Sequence, residues 1–188
     1  MKYFFILLLL LSNSSIDART QGTSVVQLLK HSEYIVEYRI IEVLEHQIII
    51  DVLETYKGIK HTKLTINKFM DWACASRESN YVVGQSGIMF IVTNTNSHKM
   101  EIMGGRNEGD MLYEDNFIYW GGDFVKDKDS GYEYIRRKFQ QVDVKSGIVE
   151  YLKNQTKLET LQKQNKITTY KTENPFILYV IRIMNGNF

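Results

Sequence analysis

Alternation of apolar and polar residues in the first half of the chain is the feature that most restricts its fold. Alternating residues or continuous apolar runs occupy residues 34–43, 48–55, 63–69 and 88–92. Alternation puts one face of a β-strand on a core, and the continuous run at 88–92 is typical of a central strand. The alternating residues of the first segment are Tyr34, Val36, Tyr38, Ile40 and Val43. Ile41 breaks this pattern, which indicates a β-bulge or burial on both faces.

The second half of the chain adds a hairpin, an edge strand and helices. Residues 111–113 and 117–120 flank a polar turn at 114–116 and predict a β-hairpin. Residues 132–139 suit an edge strand. Thr23 or Ser24 can cap a short N-terminal helix, and Asp143 can cap a second helix that runs to about Asn154. A continuation of that helix in polar form through Leu158 and Leu161 is left open. We therefore predict a mainly β fold with flanking helices, a small closed antiparallel OB-like barrel with a short N-terminal and a C-terminal helix; a β-sandwich is the alternative.

The first 18 residues have the layout of a secretory signal peptide. Lys2 precedes the apolar run 3–11, polar residues follow, and Ala18 offers a small residue for cleavage. The run is shorter than the roughly 20 residues that a membrane-spanning helix requires; an uncleaved N-terminal anchor is the alternative. We predict a signal peptide at 1–18, a single barrel domain with its C-terminal helix at 19–161, and a tail or extra terminal element at 162–188. The predicted location is secreted or periplasmic, with no stable membrane span after cleavage.

Composition excludes several classes of protein. The chain is 44% apolar and 24% charged, which is typical of a globular domain and not of a disordered one. A net charge of +1 gives no general attraction to nucleic acid or anionic membranes. Cys74 is the only cysteine, so the chain has no intrachain disulfide and no cysteine-based structural zinc site.

The order of these segments resembles that of a known family of secreted barrels. A helix and an alternating strand lead to a Lys57-Gly58 turn, and Cys74 precedes the Val83-Gly84 turn and the buried run 88–92. A glycine-led hairpin follows at 104–120. The pattern is similar to the netrin-like, tissue-inhibitor-of-metalloproteinases-like OB barrel of secreted bacterial proteins, over roughly residues 23–120. The animal inhibitors chelate zinc through an N-terminal cysteine, which is absent near Arg19, so the resemblance implies a fold and not their inhibitory mechanism.

No residue pattern specifies a reaction. Cys74 is a candidate nucleophile or intermolecular disulfide, but a buried or leftover thiol is the simpler interpretation. The four histidines form no HxH or HExxH arrangement. Residues 127–133 resemble a calcium loop faintly, and a solvated charged loop describes them better. We therefore predict no catalytic, cofactor-binding or metal-ligating residue.

Aromatic side chains are the candidate binding residues. They are Trp72 in a loop and, in the predicted hairpin, Tyr113, Tyr119 and Trp120. Such residues bind sugars, peptides or proteins when exposed, although hairpin aromatics more often pack against the barrel.

A local basic bias surrounds the predicted third strand. Its members are Lys57, Lys60, His61, Lys63 and Lys68. OB barrels bind single-stranded nucleic acid through basic grooves with stacked aromatics. The predicted secretion argues against that use, and a solvated face is the default interpretation.

These observations favour a secreted, non-enzymatic interaction module. Its expected partner is a protein or a glycan and not nucleic acid. A protease inhibitor that acts by surface docking is the alternative function, and a Cys74-dependent enzyme is a third hypothesis.

Overall fold

The structure is a computed structural model, and it describes residues 23–69, 80–104, 108–125 and 133–186. Several features of the sequence lie outside these residues: the predicted signal peptide, Trp72, Cys74 and most of the charged loop at 127–133. The three α-helices of the described part are α1 (Val25–His31), α2 (Gln141–Lys163) and α3 (Pro175–Met184), with a single 3₁₀ turn at Ile167–Thr169. The strands are β1 (Tyr34–Val43), β2 (Gln47–Lys57), β3 (Lys63–Asn67), β4 (Ser86–Thr93), β5 (Met100–Ile102), β6 (Asp110–Glu114), β7 (Phe117–Val125) and β8 (Glu133–Gln140).

Five strands close into a barrel. Strand order is β1-β2-β3-β5-β4, and β4 pairs back onto β1 along Tyr34–Arg39. All of these pairings are antiparallel except that of β3 with β5, which is parallel. This confirms the predicted mainly β fold with a small closed OB-like barrel and flanking helices. The register also shows why Ile41 interrupts the alternation: Ile40 pairs with Ile50 and Glu42 with Ile49, so Ile41 is an extra residue at a β-bulge.

The barrel wall separates two hydrophobic cores. The inner core fills the barrel and consists of Val36, Tyr38, Ile40, Ile48, Ile50, Leu64, Ile66, Met89, Ile91 and Ile102. The outer core lies on the other face of β1 and β4, where Ile35, Ile88 and Phe90 contact side chains of the three helices and of the hairpin. Because β1 and β4 bury side chains on both faces, β4 is a nearly continuous apolar run.

A three-stranded extension leaves the barrel at β4. Two strands pair with the edge of β4 that faces away from β1. Strand β5 pairs with Ile91–Thr93, and β6 pairs with Gly87–Met89. Strands β6 and β7 form the predicted hairpin, with Asp115 in the left-handed region at φ 55° in its turn. Strand β8 pairs with β7 and is last in the sheet order, as expected for the edge strand.

The start of α2 differs from the sequence prediction. The helix begins at Gln141, directly after β8, so Asp143 lies in its first turn and is not its cap. The start is fixed by the hairpin turn, since the Gln141 backbone N–H donates to the Asn116 carbonyl (3.0 Å) and its side-chain amide to the Asp115 carbonyl (2.7 Å). The helix then continues without interruption to Lys163, and Ser24 caps α1 as expected.

Helix α3 packs against α2 through a polar cap and a glycine. Asn174 caps α3 by accepting from the Ile177 N–H (3.0 Å) and donates its amide to the Asp143 carbonyl of α2 (2.9 Å). A Cβ on Gly147 would lie 2.6 Å from the Phe176 ring, so only glycine permits this approach. The apolar segment near the C-terminus is therefore a terminal element of the outer core.

The Lys57-Gly58 turn secures α1 to the barrel. The Lys57 ammonium donates to the Leu29 (3.1 Å) and Lys30 (3.0 Å) carbonyls at the C-terminal end of α1, where a cation interacts favourably with the helix dipole. Gly58 has φ +94°, and a Cβ there would lie 2.5 Å from the Tyr34 ring and 2.8 Å from the Glu33 carbonyl oxygen. Sterics thus require glycine at this position.

We predict that Gly58→Ala destabilises the protein more than Gly84→Ala. Both glycines have φ near +90°, but a Cβ on Gly84 meets no atom within 4 Å. Gly84→Ala therefore pays only backbone strain, about 1–2 kcal/mol, whereas Gly58→Ala adds about 1–3 kcal/mol of overpacking. Urea unfolding of both variants measures the difference, and equal losses would contradict the close approach of Tyr34.

We also predict opposite effects from two buried Tyr→Phe substitutions. The Tyr38 hydroxyl donates to the buried Asp110 carboxylate (2.5 Å), so Tyr38→Phe leaves that carboxylate short of a donor and costs about 1–3 kcal/mol. The fully buried Tyr151 hydroxyl has no hydrogen-bond partner among the described residues. Tyr151→Phe therefore leaves the free energy of unfolding unchanged or raises it by up to about 1 kcal/mol. Thermal and urea unfolding provide the test, and a large loss in Tyr151→Phe would refute the assignment.

Candidate functional site

A groove of about 490 Å³ opens at one side of the barrel. Its lining comes from the β1–β2 turn, the end of β3, the β4–β5 loop and β5 with the residues that follow it. The lining residues are His46, Asn67, Lys68, Phe69, Lys99, Glu101, Ile102 and Gly104. In OB barrels the face of β2 and β3, flanked by the β1–β2 and β4–β5 loops, is the surface that binds oligonucleotides and oligosaccharides. The groove occupies the corresponding position in this barrel.

A row of polar side chains crosses the strands beneath the groove. The Gln47 side-chain amide donates to Asn67 Oδ1 (3.0 Å), and Asn67 Nδ2 donates to Glu101 Oε1 (3.5 Å). Asn94 Nδ2 donates to both oxygens of Glu101 at 3.1 Å. Asn67 and Glu101 are also the one residue pair that joins β3 to β5. The row, here called the amide row (Gln47, Asn67, Asn94, Glu101), therefore holds the barrel closed and places amide and carboxylate groups along the groove.

Two lysines supply positive charge to the groove. The Lys68 ammonium donates to the Glu45 carbonyl (3.1 Å) and lies 6.0 Å from the centre of the Tyr81 ring. Lys99 is exposed, and within the described part of the chain its ammonium has no hydrogen bond or ion pair. His46 Nε2 lies 3.5 Å from the exposed Glu45 carboxylate. Neither lysine is paired with a described carboxylate, so both are available to an anionic group.

Phe69 provides the aromatic surface of the groove. It follows β3 and is half-buried, and its backbone N–H donates to the Tyr81 hydroxyl oxygen at 3.0 Å. This bond fixes the backbone of the segment that leaves β3. The groove thus combines one ring, an apolar side chain, amides, a carboxylate and two cations, a mixture that suits a polar ligand with some apolar surface.

Three of the four aromatic residues predicted from the sequence, Tyr113, Tyr119 and Trp120, lie elsewhere. Trp120 is 3% exposed in the outer core, so it offers a ligand almost no surface, in keeping with the alternative that hairpin aromatics pack on the barrel. Tyr119 is half-buried, with the Lys138 ammonium 5.5 Å from its ring centre, and Tyr113 packs against the outer core. None of these three lines the groove. Trp72 is outside the described residues, so its role stays a prediction.

Sequence reasoning points to Lys68 and gives no reason to single out the other polar residues of the groove. Lys68 belongs to the basic segment around β3, for which a solvated face is the default interpretation. His46 enters only as one of four histidines without a metal-binding spacing, and Asn67, Lys99 and Glu101 come from separate turns and strands that only barrel closure brings together. The one sequence signal for these residues is that some of them lie in or next to the predicted β1–β2 turn and β4–β5 loop, which flank the ligand-binding face of OB barrels.

A second polar cluster joins the barrel to α2. The Glu37 carboxylate, 9% exposed, forms an ion pair with the Lys145 ammonium (2.7 Å) and accepts from the Tyr56 hydroxyl (3.3 Å). The Lys145 ammonium also lies 5.5 Å from the Tyr113 ring centre. Burial, together with the Glu37 charge, raises the pKa of both tyrosines far above its usual value, so both hydroxyls stay protonated near neutral pH. The cluster therefore ties α2 to β1 through the Glu37–Lys145 ion pair and places two neutral phenols beside it.

Over the ranges that the structure describes, no three His, Cys, Asp or Glu side chains are grouped so as to hold a metal ion. Within the same ranges, no helix combines the length and the apolar character needed to cross a bilayer.

Comparison of the chain with protein-family models, with curated proteins and with solved structures finds no match. Arguments about function therefore rest on the groove and the residues that line it.

We predict that the Glu37–Lys145 pair contributes far more to stability than the Lys30–Glu159 pair. Lys145→Met leaves the carboxylate of Glu37, whose side chain is 12% exposed, without its cation, at a cost of about 3 kcal/mol. Lys30→Met removes a pair at 3.3 Å whose side chains are 44% and 26% exposed, and it costs less than about 1 kcal/mol. Urea unfolding of the two variants is the measurement. Equal losses would show that Glu37 is solvated more than its burial indicates.

Proposed function

We propose that the protein is a secreted, non-enzymatic binding module that holds a glycan or protein ligand in the groove beside β3 and β5. The observation that carries this proposal is the groove itself, at the surface that OB barrels use for ligands. Its volume of about 490 Å³ is within the range of roughly 300–1,000 Å³ that is typical of ligand sites.

The lining supports binding of a polar ligand. Amide and carboxylate groups of Asn67 and Glu101 offer hydrogen bonds in a fixed orientation, because the amide row holds them in place. The half-buried Phe69 ring offers apolar surface next to them. Fixed polar groups beside an aromatic ring bind without the entropic cost of ordering loose side chains.

Two further parts of the proposal come from the sequence. The layout of residues 1–18 supports export, and the order of segments between 23 and 120 supports kinship with the netrin-like, tissue-inhibitor-of-metalloproteinases-like barrels. The five-stranded closed barrel is compatible with that kinship at the level of fold. Kinship with these barrels assigns no inhibitory activity to the protein, because OB barrels serve unrelated functions.

We predict that ligand binding depends on Phe69 and not on Tyr119. Purified residues 19–188 are screened against immobilised oligosaccharides and a peptide library, and the affinity of any ligand found is measured by calorimetry. Phe69→Ala removes the ring of the groove and should weaken binding about threefold to tenfold, since an aromatic contact contributes about 0.5–1.5 kcal/mol. Tyr119→Ala removes a half-buried ring of similar size from the hairpin and should leave the affinity unchanged.

If Tyr119→Ala weakened binding and Phe69→Ala did not, the binding surface would be the hairpin aromatics and not the groove. Recovery of a chemically altered ligand after incubation with the protein would overturn the non-enzymatic part of the proposal.

A further inference from the structure

We propose that the groove is selective for anionic glycans, that is, oligosaccharides that carry carboxylate or sulfate groups. This inference rests on the proposed function, and it adds the chemical class of the ligand. Three features of the described residues carry it: the absence of a described carboxylate partner for either lysine, the fixed orientation of Glu101, and the pairing of β3 with β5 at the groove.

The lysines are arranged to meet an anion. Lys68 is held by a backbone carbonyl of the β1–β2 turn and Lys99 has no described partner, so an anion would not have to displace a protein carboxylate from either. They come from different elements, the end of β3 and the end of the β4–β5 loop, and both line the groove. An anionic ligand between these elements gains two charge-assisted contacts, which are stronger than neutral hydrogen bonds.

Glu101 does not neutralise these lysines. Its two oxygens accept from Asn94 and one of them also accepts from Asn67, so its charge is stabilised by amides and not by a described cation. A carboxylate held in this way retains lone pairs for the hydroxyl groups of a sugar. Hydroxyl acceptors and cations in one groove match a ligand that carries both hydroxyl and acidic groups.

The same geometry disfavours a peptide strand or a nucleic acid. A peptide commonly adds to an exposed sheet edge, but at the groove Asn67 of β3 is already paired with Glu101 of β5. A nucleic acid strand stacks successive bases on several aromatic side chains, and Phe69 is the one aromatic residue in the described lining.

Calorimetry with four probes tests the inference: hexagalacturonate, a sulfated dextran oligomer, neutral maltohexaose and a single-stranded dodecathymidylate. We expect both anionic glycans to bind residues 19–188 at least about tenfold more tightly than maltohexaose at 50 mM salt, and to lose affinity as salt increases. Lys68→Ala/Lys99→Ala should weaken hexagalacturonate binding about tenfold.

The matched control is Lys153→Ala/Lys166→Ala, which makes the same change of net charge at exposed lysines on and after α2, and it should change the affinity less than twofold. Lys99→Ala alone guards against misfolding, because the side chain is exposed and has no hydrogen bond or ion pair to a described residue. It should weaken binding about threefold with unchanged thermal unfolding.

Several outcomes overturn the inference. They are equal binding of maltohexaose, tighter binding of the dodecathymidylate, equal weakening by the two lysine double variants, and no binding of either anionic glycan. If a neutral glycan or a peptide binds and Phe69→Ala weakens that binding, the proposed function stands and only the selectivity fails. If Phe69→Ala affects no ligand, the groove itself is wrong.

Discussion

The parallel pairing of β3 with β5 is the constraint on which the rest of the structure depends. The two strands are joined by one residue pair, Asn67 with Glu101, whereas the neighbouring pairings extend over three or more. Without this contact the sheet would be an open ribbon with two exposed edges, which is a liability for aggregation. The amide row adds side-chain hydrogen bonds at the same point. The seam that closes the barrel is therefore also a wall of the groove, so Asn67 and Glu101 both join the two strands and line the proposed binding site.

The barrel wall is the second organising feature. Because β1 and β4 are buried on both faces, the inner core and the outer core share one pair of strands. The helices cover the outer face. The Glu37–Lys145 ion pair connects α2 to β1, and the Lys57 ammonium connects β2 to the C-terminal end of α1. The opposite side of the barrel, where β3 and β5 meet, has the groove. Among the described residues, the helices thus cover one side of the wall, while the groove lies on the other.

The sequence predicts the strands better than the site. The inward set of β1, Val36, Tyr38 and Ile40, follows from alternation, and the bulge at Ile41 follows from its interruption. The aromatic residues of the hairpin attracted attention because they cluster along the chain, yet Trp120 is a core residue. Clustering along a strand does not distinguish a binding face from a packed face, since successive side chains point to opposite sides.

Local pattern by itself determined that this chain forms short amphipathic strands, a hairpin and capped helices, because those features depend on neighbours within a few residues. Tertiary structure decided which turns meet. Asn67 and Glu101 are far apart in sequence, and Lys99 and His46 belong to separate turns, so their arrangement depends on the register and closure of the barrel. Side-chain chemistry can be read one residue at a time, whereas a groove is a property of distances between residues that only the closed barrel fixes.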